Sequence, residues 1–291
     1  MKISILIISA AGVPKFALKG SYTLLTELMV QLKFDKDAKM RPLKILAFFA
    51  HPDDETMFLG GTLTYLAAQG AEVHYLCATR GEGGEMGDPP ICERAELGLV
   101  REKELGCAIK ALGGTSLAFL GFKDPEVGPE GELYPFSKDL APVVRELSEF
   151  LDKIRPDVVL THGPGGEYGH PGHIQAHQAV IEALGKQEYP PRVVYSPSWL
   201  SRETGEFTPA PGMLVDISPW VTKKIAAVTC HKSQHGLFLR NGAARAGRPV
   251  ELVEMIRNQE ALGRILPEGE LAGDPLEEIL RPIALALPAT A

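Results

Sequence analysis

The chain lacks an excess of basic residues, because its 30 Lys and Arg are outnumbered by 37 Asp and Glu, for a formal net charge of −7. The Lys and Arg residues are also scattered, whereas nucleic-acid-binding proteins usually gather them on one face to neutralise phosphates. Nucleic acid is therefore not expected as a partner. With 291 residues, 45% of them apolar and 23% charged, the composition is that of a globular protein with a full hydrophobic core.

A long apolar run, internal repeats and low-complexity tracts are also missing. The apolar stretch at 3–12 is too short to span a bilayer, so no stable membrane insertion is expected. It has only a weak likeness to a secretory signal. We expect residues 1–39 to be an N-terminal extension, either dispensable or created by a mis-assigned start codon ahead of Met40, rather than an export signal.

Cysteine is scarce, with four residues in the whole chain and no C-x-x-C pair. Without a short-range framework, these cysteines are expected to be reduced thiols in an intracellular protein. Cys77 and Cys107 lie in apolar runs and are expected in the core. The expected compartment is therefore cytoplasmic.

From residue 43 onward, short apolar runs alternate with helical patterns, as in an α/β protein. The predicted strands are 43–49, 73–78, 116–120, 158–161, 192–195 and 213–215. The predicted helices are 60–69, 93–112, 140–154, 173–184, 221–230 and 250–262. This order predicts a Rossmann-like three-layer sandwich with a mostly parallel sheet over residues 40–265. A tail rich in Pro, Leu and Ala follows at 266–291 and is expected to wrap the surface or pack on a partner subunit.

Two short segments combine the residue types of a hydrolytic metal site. A-H-P-D-D-E at 50–55 follows the first predicted strand, and H-P-G-H at 170–173 follows a Gly- and Pro-rich loop after the strand at 158–161. By itself the first segment is as typical of a turn followed by a helix N-cap as it is of a metal site. The second segment repeats the context of a strand end opening into a helix, where open α/β sheets bind ligands. Together they favour a metal site.

A catalytic zinc or iron ion is typically held by three His or carboxylate groups, with one position left for water. His51, Asp54 and His173 fit that count. One carboxylate, Asp53, then remains beside the metal and is a candidate general base for the bound water.

These segments resemble the LmbE-like (PIG-L) family of N-acetylglucosamine de-N-acetylases, whose marks are A-H-P-D-D-E at the first strand end and a later H-P-x-H. Further segments resemble the family in the same order along the chain. They are T-R-G-E-G-G at 79–84, R-E-K-E-L at 101–105, L-G-F-K-D at 120–124 and H-K-S-Q at 231–234. The resemblance spans residues 43–240.

The resemblance implies that His51, Asp54 and His173 bind the metal and that Asp53 is the general base. It implies that His170 stabilises the tetrahedral oxyanion or protonates the leaving amine, two needs of amide hydrolysis.

Three further residues are candidates for contact with the substrate. Arg101 matches a substrate-contacting arginine of the family, and Asp124 matches a carboxylate that faces the substrate or orients the acid. Glu82 lies in the loop at 81–90 after a predicted strand, where specificity residues concentrate. The alternative for Arg101 and Glu82 is a solvated side chain on a helix or loop surface.

One position departs from the family pattern. Many members carry an acid where this chain has Gly172, so the carboxylate that would orient and charge His170 is missing there. An imidazole without an acidic neighbour is a poorer proton donor at neutral pH. Asp124 or Glu167 would replace that acid if either lies within hydrogen-bond reach of His170.

Three other interpretations compete. G-E-G-G-E-M-G at 81–87 superficially resembles a nucleotide-binding loop, but it follows the second strand and would turn two glutamates toward a pyrophosphate. Two His and one carboxylate also hold ferrous iron in oxygenases, although Asp53 favours water activation. A non-catalytic carbohydrate-binding protein on the same fold is the third.

The residues therefore predict a zinc-dependent hydrolase, with Fe²⁺ as the alternative metal, and the resemblance implies that it removes the acetyl group of an N-acetylglucosamine-type amide. The expected substrate is a small amino-sugar glycoside, with malate or inositol as examples of the aglycone. A homo-oligomer is compatible with a soluble enzyme.

Overall fold

The computed structural model describes residues 41–200, 207–269 and 271–287. Eight of its ten strands form one sheet, and two form a separate hairpin. The strands are β1 (Lys44–Phe49), β2 (Glu72–Thr79), β3 (Ser116–Phe122), β4 (Val158–Leu160), β5 (Val193–Pro197), β6 (Trp199–Leu200), β7 (Phe207–Thr208), β8 (Met213–Asp216), β9 (Gln259–Leu266) and β10 (Ala284–Leu285).

Helices connect the strands and cover both faces of the sheet. They are α1 (Asp54–Ala68), α2 (Leu97–Leu112), α3 (Leu140–Ile154), α4 (Gly166–Gly169), α5 (Pro171–Leu184), α6 (Val221–Cys230), α7 (His235–Ala246) and α8 (Pro275–Leu280). Short 3₁₀ turns lie at Arg94–Glu96, Ser218–Trp220, Lys232–Gln234, Leu252–Met255 and Arg281–Ile283. Among the described helices, none is both long enough and apolar enough to cross a membrane.

The large sheet has the order β10-β8-β9-β5-β4-β1-β2-β3. The five strands from β5 to β3 are parallel, and β9, β8 and β10 extend one side of the sheet with antiparallel pairing. This arrangement confirms the predicted α/β fold with a mostly parallel sheet.

The two faces of the sheet bury separate cores. Along β1, Ile45 and Phe49 pack in a cluster with residues of α1, α2, α6 and α8. Leu46 and Phe48 point to the other face and pack with residues of α3 and α5. Because both faces are covered, the strand is apolar at every position after Lys44, as buried parallel strands are. The α8 residues in the first cluster, Leu276 and Leu280, belong to the segment after residue 265.

The prediction of a helix at 250–262 is wrong. The sequence analysis also did not predict α7. The segment instead forms a 3₁₀ turn at Leu252–Met255 and then β9, which lies between β5 and β8. Its hydrogen-bond partners come from strands far away in sequence, so local helix propensity is overridden by pairing.

The expectation that all four cysteines are reduced thiols is also wrong. Cys107 on α2 and Cys230 at the end of α6 form a disulfide across 123 residues of sequence. The spacing of the cysteines does not predict this disulfide, because only the packing of α2 against α6 brings the two sulfurs together. Cys77 is buried as expected, whereas Cys107 is exposed rather than in the core.

Candidate active site

Four neighbouring parallel strands, β3, β2, β1 and β4, end at the same edge of the sheet, and loops leave them there. Each loop carries residues that the sequence analysis singled out. They are His51, Asp53 and Asp54 after β1, Glu82 after β2, Asp124 after β3 and His170 and His173 after β4. The carboxyl edge of the sheet therefore gathers these residues, as the strand-end positions predict.

The chain turns sharply between β1 and α1. Asp53 has a φ of 112°, a left-handed conformation that is uncommon for a residue other than glycine. The backbone N–H of His51 donates to Asp54 Oδ2 at 2.8 Å, and that of Asp53 donates to Glu55 Oε2 at 3.2 Å. The carboxylates of Asp54 and Glu55 therefore accept the backbone N–H groups of the turn that precedes them. The turn presents His51, Asp53 and Asp54 at one strand end.

The predicted metal ligands contact one another through Asp54. Its Oδ2 lies 3.4 Å from His51 Nδ1, and its Oδ1 lies 3.3 Å from His173 Nε2. Within the described chain, candidate ligand atoms lie within 4.8 Å of one another in two groups of three that share His173. One group adds His51 and His170, and the other adds Asp54 and His162.

His173 Nε2 is the atom that best fits a metal. The side chain is fully buried, and Nε2 has no hydrogen-bond partner among the described residues. An orphaned imidazole nitrogen facing a carboxylate in the interior is costly unless a cation takes it up. The neighbouring donors, imidazole nitrogens and a carboxylate, suit zinc or ferrous iron.

Sequence reasoning missed His162, which lies directly after β4 and is completely buried. Its Nε2 accepts the backbone N–H of Ala50 at 3.0 Å, and its Nδ1 lies 2.8 Å from Glu167 Oε2. The ring stacks on His173 with centroids 3.9 Å apart. Burial by itself raises the pKa of Glu167, but the imidazoles of His162 and His173 hold it at about 2, below its usual range. The position of His162 at a predicted strand end was the available signal.

Asp53 is held by Arg101. Asp53 Oδ2 lies 3.2 Å from Arg101 Nη2, and the same guanidinium donates to the carbonyls of Pro52 and Gly81. Burial raises the pKa of Asp53 to about 6, against the Arg101 charge, which lowers it. Arg101 is buried, with 3% of the residue exposed, and its guanidinium donates hydrogen bonds to these three acceptors.

Asp124 and Glu82, in the loops after β3 and β2, hold His51 from the other side of the site. Asp124 Oδ1 lies 3.2 Å from His51 Nε2, and the backbone N–H of Asp124 donates to Glu82 Oε2 at 3.1 Å. Burial lowers the pKa of His51, but the charges of Asp124 and Asp54 outweigh it and raise the value to about 9. The carboxylate of Glu82 is thus engaged in holding the Asp124 loop.

His170 begins α5 and caps it. Its Nδ1 accepts the backbone N–H of Gly172 at 3.1 Å, and its ring stacks on His173 with centroids 4.4 Å apart. Burial and then the neighbouring His51 lower the pKa of His170 to about 3. Within the described structure, Asp124 bonds to His51 and Glu167 bonds to His162 and His173, and neither hydrogen-bonds to His170.

Gly172 stands where the imidazole rings crowd the backbone. A Cβ added there would lie 3.1 Å from His51 Nε2 and 3.3 Å from His170 Cε1. Any larger residue would have to push the rings aside. The close packing therefore explains why glycine suits this position in this chain.

Aromatic side chains lie beside the histidines and were also not predicted. The Tyr168 ring is 5.4 Å from that of His173 and is 57% exposed, so it faces both the site and solvent. Trp199 lies 6.1 Å from Tyr168 and 5.8 Å from Phe58. The position of Tyr168, two residues before H-P-G-H, was the only sequence signal for this group.

Comparisons with known proteins show which family the chain resembles. The family described as PIG-L: GlcNAc-PI de-N-acetylase matches residues 46–184. A 1D-myo-inositol 2-acetamido-2-deoxy-alpha-D-glucopyranoside deacetylase from Mycobacteroides abscessus is 36% identical over 162 residues, covering 52% of this chain and 58% of the relative. The protein of the same name from Actinosynnema mirum is 31% identical over 229 residues, covering 66% of this chain and 81% of the relative. The chain spans little more than half the length of the first of these relatives.

A solved structure extends the likeness in fold. The N,N'-diacetylchitobiose deacetylase from Pyrococcus horikoshii superimposes with a TM-score of 0.58 at 22% identity, covering 86% of this chain and 95% of that one. The chain belongs to the PIG-L (LmbE-like) family of de-N-acetylases.

Proposed function

We propose that the protein is a metal-dependent hydrolase that removes the acetyl group from a 2-acetamido-2-deoxy-glucoside, releasing acetate and a free amine. The observation that carries this proposal is the buried, unpartnered Nε2 of His173 facing Asp54, with the Asp53 carboxylate on the adjacent residue. This arrangement supplies both a cation site and a base at one edge of the sheet.

His51, Asp54 and His173 would hold the metal, with zinc preferred and ferrous iron as the second choice for this donor set. When bound, the ion lowers the pKa of a water molecule and polarises the substrate carbonyl. The role of the ligands is to keep two imidazole nitrogens and one carboxylate directed at a common point.

Asp53 takes the proton of the attacking water. Its carboxylate is oriented by the Arg101 guanidinium at 3.2 Å and is partly open to solvent, with 14% of the side chain exposed. A base must lie within hydrogen-bond reach of the proton that it removes.

His170 donates a hydrogen bond to the oxyanion. Because its Nδ1 accepts the Gly172 N–H, a neutral ring carries its proton on Nε2. That N–H is the group left to stabilise developing negative charge or to meet the departing nitrogen. The absence of an acid at 172 is compatible with a neutral donor.

The substrate class follows from the relatives and the rim of the site. The names of the curated relatives describe a deacetylase of a glucosaminide of inositol. Tyr168 and Trp199 offer aromatic faces beside the histidines, the kind of surface on which the apolar face of a sugar packs. We infer a small glycoside of N-acetylglucosamine, with a polyol such as inositol as the preferred aglycone.

The test is release of primary amine from N-acetylglucosaminides that differ only in aglycone, using zinc-reconstituted protein. Asp53→Asn is expected to keep the metal and to lose at least ~10²-fold in turnover, the scale of a general base. His51→Ala, as the comparison, is expected to lose the metal as well. Full turnover by Asp53→Asn would overturn the assigned base, and no amine release by metal-loaded wild-type protein would overturn the reaction.

A further inference from the structure

Glu167 receives three N–H groups at the bottom of the histidine cluster. Its Oε2 lies 2.8 Å from the Nδ1 atoms of both His162 and His173, and its Oε1 accepts the backbone N–H of Gly163 at 2.9 Å. The side chain is fully buried. Glu167 is neither a proposed metal ligand nor a proposed catalytic group, so its role lies outside the functions derived above.

These contacts set the tautomer of both rings. A carboxylate can only accept, so each imidazole must carry a proton on Nδ1, and in a neutral ring the lone pair is then at Nε2. In His162 that lone pair accepts the N–H of Ala50. In His173 it faces Asp54 Oδ1 at 3.3 Å, where the proposed metal would bind.

The backbone of Glu167 gives independent support. Its φ of 58° and ψ of −72° make it one of three described residues other than glycine with a positive φ. Such conformations are unfavourable for a residue with a Cβ and concentrate at functional sites. Glycine would adopt this backbone at no steric cost, yet the chain places a glutamate there and buries its charge.

We propose that Glu167 is a positioning residue that fixes the tautomer and orientation of His173, with His162 as the second anchor of the same carboxylate. His162 is then a support and not a ligand, because the Ala50 N–H occupies its Nε2. The inference rests on the proposed function in one respect, the assignment of His173 as a metal ligand. Carboxylates that hold the far nitrogen of a ligating histidine raise its affinity for the metal.

The test measures the zinc dissociation constant of the full-length protein by competition with a chromophoric chelator. Glu167→Gln is expected to bind zinc about 10- to 100-fold more weakly, the usual effect of losing such a partner. The amide offers one acceptor oxygen, and its NH₂ group would face N–H donors. The control is Glu260→Gln. The Glu260 carboxylate is also buried, but its partners are Gly61, Thr62 and Lys224, so this variant is expected to bind zinc as tightly as the wild type.

Two further measurements separate positioning from folding. Glu167→Gly removes the carboxylate but relieves the backbone, so it is expected to fold and still to bind zinc about 10- to 100-fold more weakly. Histidine-selective ¹⁵N NMR of metal-free protein is expected to detect two Nδ1–H rings in the wild type, and at least one of these signals is expected to be lost in Glu167→Gln.

The outcomes distinguish the two proposals. If the wild type binds zinc and both Glu167 variants bind it equally well with unchanged ring signals, the positioning role is overturned and the proposed function stands. If the wild type itself binds no zinc, the proposed ligand set is overturned, whatever the Glu167 variants do.

Discussion

At the scale of single residues, the site depends on charged side chains that hold one another in the interior. Arg101 illustrates this, because the family pattern suggests a substrate contact, while the guanidinium is buried against Asp53, Pro52 and Gly81. A guanidinium whose two terminal nitrogens are engaged in this way orients the base. The two roles have different kinetic consequences.

We predict that Arg101→Lys lowers kcat by about 10-fold or more and leaves KM within about 2-fold, because loss of orientation acts on the reacting groups. A lysine offers a single ammonium in place of the planar fork that reaches all three acceptors. Steady-state kinetics on the amine-release assay measure the effect. Arg80→Lys is the control, since Arg80 is paired with Glu102 at the surface. A raised KM with an unchanged kcat would instead identify Arg101 as a substrate contact.

At the scale of elements, α1 and β9 depend on each other. Helix α1 is broken at Leu59, where φ is −130° and ψ is 18°, so the N–H groups that follow lose their helical acceptors. Gly61 and Thr62 donate those N–H groups to Glu260 of β9, whose carboxylate also lies 2.7 Å from Lys224 Nζ. The glutamate therefore acts as an internal cap for the second half of α1.

We predict that Glu260→Gln lowers the free energy of unfolding by roughly 3 kcal/mol, because it leaves the Lys224 ammonium buried without its counter-charge. Lys224→Met should be similarly unfavourable, and the double variant should lose less than the sum of the two by about 1 kcal/mol or more. Urea unfolding of the four proteins measures the coupling. Strict additivity would show that the two side chains do not act as a pair.

At the scale of the whole molecule, the Cys107–Cys230 disulfide ties α2, which carries Arg101, to α6. A link across 123 residues removes much of the freedom of the unfolded chain.

We predict that Cys107→Ser with Cys230→Ser lowers the free energy of unfolding by about 2–5 kcal/mol. Cys92→Ser is the control, because Cys92 is a free cysteine. Denaturant unfolding of oxidised wild type, reduced wild type and both variants measures it. Equal stability of the oxidised and reduced wild type would mean that the bond does not constrain the unfolded chain.

The sequence by itself determined the features that depend on local order. Apolar runs alternating with helical patterns predicted the parallel part of the sheet, because a strand covered on both faces needs no polar side. The motifs at 50–55 and 170–173 predicted which strand ends carry the site, because parallel strands end at one edge.

Tertiary structure alone decided the features made by contacts between distant segments. The pairing of His51 with Asp124, the capping of α1 by Glu260 and the pairing of Cys107 with Cys230 each join residues that no spacing relates. The strand β9 was mistaken for a helix because its partners lie on β5 and β8. Local propensity is worth fractions of a kcal/mol per residue, so strand pairing and burial, which only the folded chain supplies, outweigh it.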